Sequence, residues 1–224
     1  MSKVIFSLFD GSGIMGLKYA ENGYQVYCFN ADEGNHGEYS IKMQHENLHY
    51  VNIWIDNDFD DNRKALGIPD PNMIFGFPDC TFFAQSGSQH ERTDGDISTA
   101  LSNAKMIEAL GDKYSCPWMV ENPVGKLSTL WRKPDNYFHP FEYGDHLDRY
   151  EPTYHAKMPF QDGYTKKTCI WHGNGFVFPE KKPGEVNIGF FWGWKYLGGN
   201  SPKTKILRSL TPRGYARAVF SFNK

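Results

Sequence analysis

Between Lys3 and Glu121 the chain alternates short runs of β-branched and aromatic residues with segments of helical periodicity. No other property of the sequence restricts the fold as much. Parallel strands need crossovers, crossovers of this length are helices, and repeated strand–helix units build a sheet covered on both faces. Lys3 to Phe9 reads as a buried strand, Gly13 to Asn22 as a helix, Gln25 to Asn30 as a second strand and Tyr50 to Ile53 as a short third. Asn72 to Phe77 supplies a fourth strand and Pro117 to Glu121 a fifth. Between them Ile97, Leu101, Ala104, Ile107 and Leu110 recur at three- and four-residue steps, which predicts an amphipathic helix. The expected fold class is α/β: a doubly wound, Rossmann-like, mixed but mostly parallel sheet with helices on both faces.

Residues 127–207 have a different texture, aromatic and rich in Pro and Gly, with a strand expected only at Thr168 to His172. Periodicity returns at Leu210 to Phe220, a helix expected to start with Thr211 as N-cap and Pro212 in its first turn. No internal repeat or linker divides the chain, so 1–224 reads as a single domain. No run approaches the roughly 20 apolar residues of a membrane span, and the start MSKVIFSLFDGSG lacks the parts of a signal peptide. A cytoplasmic location with no membrane partner is expected.

The four cysteines, Cys28, Cys80, Cys116 and Cys169, are scattered and form no CxxC pair, which argues against a disulfide framework or a structural zinc. His45 and His49 are the nearest approach to a metal pair, and no third ligand follows at a telling distance, so no metal is expected. Charge is divided unevenly: residues 163–224 hold 11 Lys or Arg against Glu180 and Glu185, whereas residues 1–162 carry an excess of acid. A basic end of this kind is either a phosphate-binding footprint or a solvated surface.

The first strand runs into Gly11-Ser12-Gly13-Ile14-Met15-Gly16, a G-x-G-x-x-G turn opening a helix. Asp32 and Glu33 follow at the end of the second strand, where an acid can bind ribose hydroxyls. This layout serves a dinucleotide and S-adenosylmethionine equally well. The loops after strands four and five separate the two. Gly76-Phe77-Pro78-Asp79-Cys80-Thr81 and Val120-Glu121-Asn122-Pro123 both fall at the carboxyl edge of such a sheet, so Cys80 and Glu121 converge beside the cofactor. A thiol and a carboxyl group do not suit hydride transfer. They suit methylation of an electron-poor ring: thiolate addition to C6 of cytosine makes C5 nucleophilic, and a carboxyl group at N3 stabilises the developing charge.

The order of these segments resembles the motifs of the cytosine-5 DNA methyltransferases, and specifically compact, phage-type members. The resemblance implies catalytic roles for Cys80 and Glu121. It assigns cofactor contacts to Phe9, Asp10, Gly11, Gly13, Gly16, Asp32, Asn52, Ile53, Phe77 and Pro78, and substrate contacts to Asn122, Lys166, Thr168 and Arg213. The implied cofactor is S-adenosyl-L-methionine, with S-adenosylhomocysteine as product. The implied partner is DNA or a cytosine nucleotide, in a bacterial cell or phage-infected host. Arg208 to Arg217 (RSLTPRGYAR) follows the family's late Arg-x-Leu-Thr-Pro-Arg motif.

The departures matter as much. Asp79 stands where the family has proline, and a neighbouring carboxylate raises a thiol pKa. Lys166 and Thr168 replace paired arginines, which removes bidentate geometry. Only 36 residues, His172 to Leu207, occupy the place of a target-recognition domain. Region 127–207 is therefore expected to be a reduced recognition element, with Lys181, Lys182, Lys195, Lys203 and Lys205 against phosphates. Trp192 and Trp194 read either as platforms for an extruded base or as core, and specificity is open to a separate subunit. Two alternatives follow: methylation of a free cytidine nucleotide or a single strand, and a catalytically weak accessory or decoy protein.

Overall fold

In the computed structural model, residues 2–31, 41–80, 94–185, 188–199 and 201–224 are described. Among these residues seven strands form one sheet: β1 (Val4–Leu8), β2 (Gln25–Asn30), β3 (Leu48–Asn52), β4 (Met73–Gly76), β5 (Trp118–Pro123), β6 (Asn136–Phe138) and β7 (Thr168–Gly173). Their spatial order is β3-β2-β1-β4-β5-β7-β6. The first five are parallel, whereas β7 runs antiparallel to both β5 and β6. The expected doubly wound, mostly parallel sheet is what forms. It differs from the 3-2-1-4-5-6 order of dinucleotide domains by the reversed strand inserted between β5 and β6.

Alternation along the strands sorts the core into two layers. Ile5, Val26, Cys28, Phe75, Met119 and Ile170 face α1 (Ile14–Glu21) and α7 (Arg213–Phe222). Val4, Phe6, Leu8, Phe29, Ile74, Trp118, Val120, Cys169 and Trp171 face the opposite way, toward α2 (Phe59–Ala65), α3 (Asp94–Tyr114) and α4 (Leu127–Leu130). Strands buried on both faces read as unbroken apolar runs, as VIFSL and MIFG do.

Two features escaped the sequence reading. Helix α2, FDDNRKA, carries too few apolar residues to show a period, and charge holds it in place. The Arg63 guanidinium donates to Asp60, Asp70 and the Ile68 carbonyl, and Asp60 also pairs with Lys64 and Lys113. Region 127–207 contains β6 and the short helix α5 (Trp192–Lys195), and α6 (Pro202–Ser209) follows across its end. The Ser201 side chain accepts from the Thr204 amide at the start of α6, a capping signature visible in the sequence.

Helix α7 begins at Arg213, and Thr211 is not its cap as expected. Instead Asp162, in the turn Phe160–Asp162, accepts from the Gly214 amide at 3.1 Å. A carboxylate from another segment thus takes the N-terminal donor that a local hydroxyl was expected to take.

The approach of α3 to the sheet depends on Gly76, where an added Cβ would stand 2.0 Å from Ile107 Cδ1 and 2.7 Å from Cγ1. Gly76→Ala is expected to lower stability by about 1–3 kcal/mol through overpacking. In urea unfolding, Gly76→Ala/Ile107→Ala is expected to be less destabilised than the two single changes added together, because the truncated side chain makes room.

Candidate active site

Asp10 folds the glycine turn from within. Its Oδ1 accepts from the amides of Ser12 (2.9 Å) and Gly13 (2.8 Å) and from the Ser12 hydroxyl (3.0 Å), and its Oδ2 accepts from the Ser7 hydroxyl at 2.7 Å. Short acids hold turns in this way. The two amides therefore face a carboxylate of the chain itself. A buried negative charge at this turn opposes a pyrophosphate, which a dinucleotide would bring to the same place.

The glycines have separable causes. Gly13 takes φ 71°, and a Cβ there would stand 2.4 Å from the Tyr50 hydroxyl, which lies within hydrogen-bond reach of the Ser12 and Met43 carbonyls. At Gly16 a Cβ would meet Val26 Cγ1 at 2.4 Å, so that residue serves the packing of α1 on β2. Gly11 is buried in the same turn. Phe9 leaves β1 with φ 59°, a conformation that bulky residues rarely take and that clusters at functional sites.

Around the turn, Asn52 ends β3 opposite Asn30, and half-buried Ile53 packs on the second core layer. The Phe77 amide donates to the Leu8 carbonyl at 3.0 Å, joining the loop after β4 to the end of β1. Asp32 lies outside the described residues.

Cys80 follows on that loop and is half-buried, whereas Cys28, Cys116 and Cys169 are buried. The loop is tied to β5 because Asn122 Nδ2 donates to the Pro78 carbonyl at 2.9 Å. Beside it stands Glu121. Its Oε1 and the Oδ1 of Asn122 are buried with no hydrogen-bond partner among the described residues, an unusual pair of vacancies for atoms of this kind.

Antiparallel pairing brings the cation. Pro123 lies opposite Thr168 and Glu121 opposite Ile170, so Lys166, two residues before β7, falls at the edge where β5 ends. Lys166 Nζ donates to the Arg208 carbonyl at 3.3 Å and lies 5.2 Å from the centre of the Phe191 ring. Burial pushes the Cys80 thiol up to about 11; the Lys166 charge opposes this, while Asp79 and Glu121 add to it. Burial likewise raises the Glu121 carboxyl above its ordinary range against the pull of Lys166. A thiol, a carboxyl group whose pKa burial raises and an ammonium group thus share one sheet edge.

Other expected residues have structural partners. Thr168 is buried and its hydroxyl donates to the Lys166 carbonyl at 3.1 Å. Arg213 is buried, donating to Asp162 Oδ1 at 3.1 and 3.2 Å and to the Pro152 carbonyl at 2.7 Å, so its guanidinium anchors the start of α7. Trp192 is 1% exposed and belongs to the core, while Trp194 is 68% exposed. Lys181 pairs with Glu142 at 2.9 Å. His45 and His49 share no helix: His49 lies in β3 and bonds Gln25. Among the described residues no cluster of His, Cys, Asp or Glu could hold a metal, and no helix is long and apolar enough to cross a membrane.

Sequence reasoning missed Asp162 and Tyr164. Asp162 sits in an irregular turn at φ 48° and has no signal in the sequence; buried Tyr164 feels the charges of Asp162, Arg213 and Glu121.

No family profile and no curated protein matches the chain. Among solved structures it is similar to a protein described as a DNA modification methyltransferase encoded within prophage Cp of E. coli (15% identity, TM-score 0.44, 77% of this chain and 46% of that one). It is also similar to the MycE methyltransferase of mycinamycin biosynthesis, in complex with Mg and S-adenosylhomocysteine (11%, TM-score 0.34, 78% and 43%). A third is the Bordetella bronchiseptica enzyme WbmH in complex with NAD+ (17%, TM-score 0.29, 50% and 33%). The chain thus spans less than half the length of each.

Two outcomes are expected for thiol chemistry. In the folded protein, iodoacetamide should modify Cys80 before the three buried cysteines, at a rate that climbs about tenfold per pH unit until the midpoint near 11. Asp79→Asn removes a negative charge, favours the thiolate and so should speed the reaction at pH 8, less so at high salt because Asp79 is exposed. Peptide mass mapping across a pH series checks both.

Proposed function

We propose that the chain is an S-adenosylmethionine-dependent methyltransferase that methylates C5 of cytosine in DNA through a covalent adduct with Cys80. The observation that carries this reading is the convergence of Cys80, Glu121 and Lys166 at the edge where β4 and β5 end, beside the Asp10 turn. Among the described residues Glu121 Oε1 and Asn122 Oδ1 have no hydrogen-bond partner, and they suit a planar base that offers an amino group and a ring nitrogen.

The residues present fit the cofactor. The turn is held by a carboxylate, which tolerates a cationic sulfonium ligand and disfavours pyrophosphate. Phe9 to Gly13, Asn52, Ile53, Phe77 and Pro78 line the carboxyl ends of β1, β3 and β4, where a ligand of an open α/β sheet binds, and with Asp32 they are the residues assigned to hold it. When bound, S-adenosylmethionine supplies an electrophilic methyl group, which no side chain can offer.

The chain's residues do the rest. Loss of a proton gives the Cys80 thiolate, favoured by Lys166, and its sulfur forms a bond to C6. Burial raises the Glu121 carboxyl, which favours a proton there, and sharing that proton with N3 offsets the charge that spreads through the ring and leaves C5 nucleophilic. Once C5 is methylated, its proton passes to water, the C5–H electrons form the C5–C6 double bond as the Cys80–C6 bond breaks, the thiolate is restored and the proton shared with N3 returns to Glu121. Asn122 keeps the loop in place through Pro78.

DNA is the favoured substrate because α5 and α6 present Trp194, Lys195, Tyr196, Lys203 and Lys205 outward, and residues 188–209 contain no acid. Exposed aromatics among lysines suit bases and phosphates.

With S-adenosylmethionine and DNA containing 5-fluorocytosine, the wild type is expected to form an adduct that survives denaturation, and Cys80→Ala none. The same assay with single strands, dCMP and dCTP separates a polymer from a nucleotide substrate. An adduct with no DNA form and none with nucleotides would favour an accessory or decoy protein.

A further inference from the structure

Arg208, at the end of α6, belongs to two structures at once. Its Nε donates to the Gly193 carbonyl, within α5, at 2.9 Å and its Nη2 to the Leu197 carbonyl, two residues past the helix, at 2.5 Å, so the guanidinium clasps α5 to the segment that follows it. A four-residue helix leaves most of its carbonyls without partners of its own, and this clasp supplies one for Gly193 together with one for Leu197 just past the helix end. The fit is close: a Cβ at Gly193 would stand 2.7 Å from Phe191 and 3.2 Å from Arg208 Cγ. On its other side, the Arg208 carbonyl accepts from Lys166 Nζ, and Phe191, which precedes α5, lies against the same ammonium. One residue therefore joins the outward-facing α5–α6 surface to the cation at the reactive edge.

Strand pairing puts Lys166 at the edge where β5 ends, the edge to which Asn122 ties the Cys80 loop, and there Lys166 lowers the thiol pKa while Asp79 and Glu121 raise it. Of these three only Lys166 is a cation, and its four-carbon stem can place the ammonium in many positions. Something must choose one of them. The Arg208 carbonyl and the Phe191 ring are the contacts that do so.

We propose that Arg208 is a positioning residue for the nucleophile: by clasping α5 with its guanidinium it fixes the carbonyl that holds the Lys166 ammonium, and so sets how reactive Cys80 is. The proposal rests on the methyltransferase reading only for what Cys80 attacks. The Cys80 thiolate can be followed without cofactor or DNA. Iodoacetamide forms a carbon–sulfur bond to the thiolate and releases iodide, while the thiol proton goes to solvent.

The test compares the wild type, Arg208→Gln, Lys166→Met, Lys166→Arg and the Arg208→Gln/Lys166→Met double variant, following Cys80 alkylation by peptide mass mapping from pH 7 to 11. Arg208→Gln and Lys166→Met are each expected to move the profile upward and slow alkylation at pH 8 by about tenfold. Lys166→Arg should stay near the wild type, and the double variant should be no slower than Lys166→Met alone, because both changes act through one ammonium. A wild-type profile in Arg208→Gln overturns the proposal, as does a double variant slowed by both factors multiplied. Loosened packing acts in the opposite direction, exposing Cys80 and the buried cysteines, so faster alkylation of Arg208→Gln also overturns it. If this pattern holds while the wild type transfers no methyl group, the proposed function fails and the positioning role stands.

Discussion

The register of β5 against β7 is the constraint on which the rest of the site depends. Because β7 runs backward beside β5, the residues before its first strand position fall beyond the end of β5, at the edge reached by the loops after β1 and β4. A parallel strand in the same slot would send that segment to the opposite edge. Pairing of Pro123 with Thr168 thus decides that a lysine accompanies a thiol and a carboxyl group. A one-residue slip would turn Ile170 and Trp171 to the wrong layers of the core, and this energetic cost keeps the register fixed.

Much of this was legible in the sequence. The parallel half of the sheet could be read because its strands are apolar on both faces and its helices are periodic. The glycine turn and the Cys80 and Glu121 loops could be placed by their position after strands. Helices α2 and α5 and strand β6 were not legible, being too short for a period: α2 is held by ion pairs, α5 by Arg208 and β6 by backbone pairing with β7. The same applies to the start of α7. Thr211 is a good local cap, yet the tertiary carboxylate of Asp162 takes the Gly214 amide and pairs with Arg213. A local rule lost to a long-range contact.

The glycine motif shows how a correct pattern can carry a partly different cause. Asp10 occupies the amides of Ser12 and Gly13, while Gly13 and Gly16 make room for Tyr50 and Val26. Arg213, expected at the substrate, has Asp162 as its partner at the start of α7. Residues that organise a site and residues that touch a ligand share motifs, and only the geometry separates them. Conversely, the sequence reading undervalued Lys166. Replacing a bidentate arginine by lysine looked like a loss of grip, whereas its place beside Cys80 and Glu121 makes it the cation that opposes a costly burial of both.

In the proposed function Cys80 prepares C5 of cytosine for attack. Release of tritium to water from DNA labelled at cytosine C5, measured together with methyl incorporation, tests it most directly. Release is expected to require S-adenosylmethionine, keep pace with methylation, disappear in Cys80→Ala and fall by about 100-fold or more in Glu121→Gln, the range for loss of one group that stabilises developing charge. Methylation of cytosine without tritium release, or release undiminished in Cys80→Ala, would contradict it.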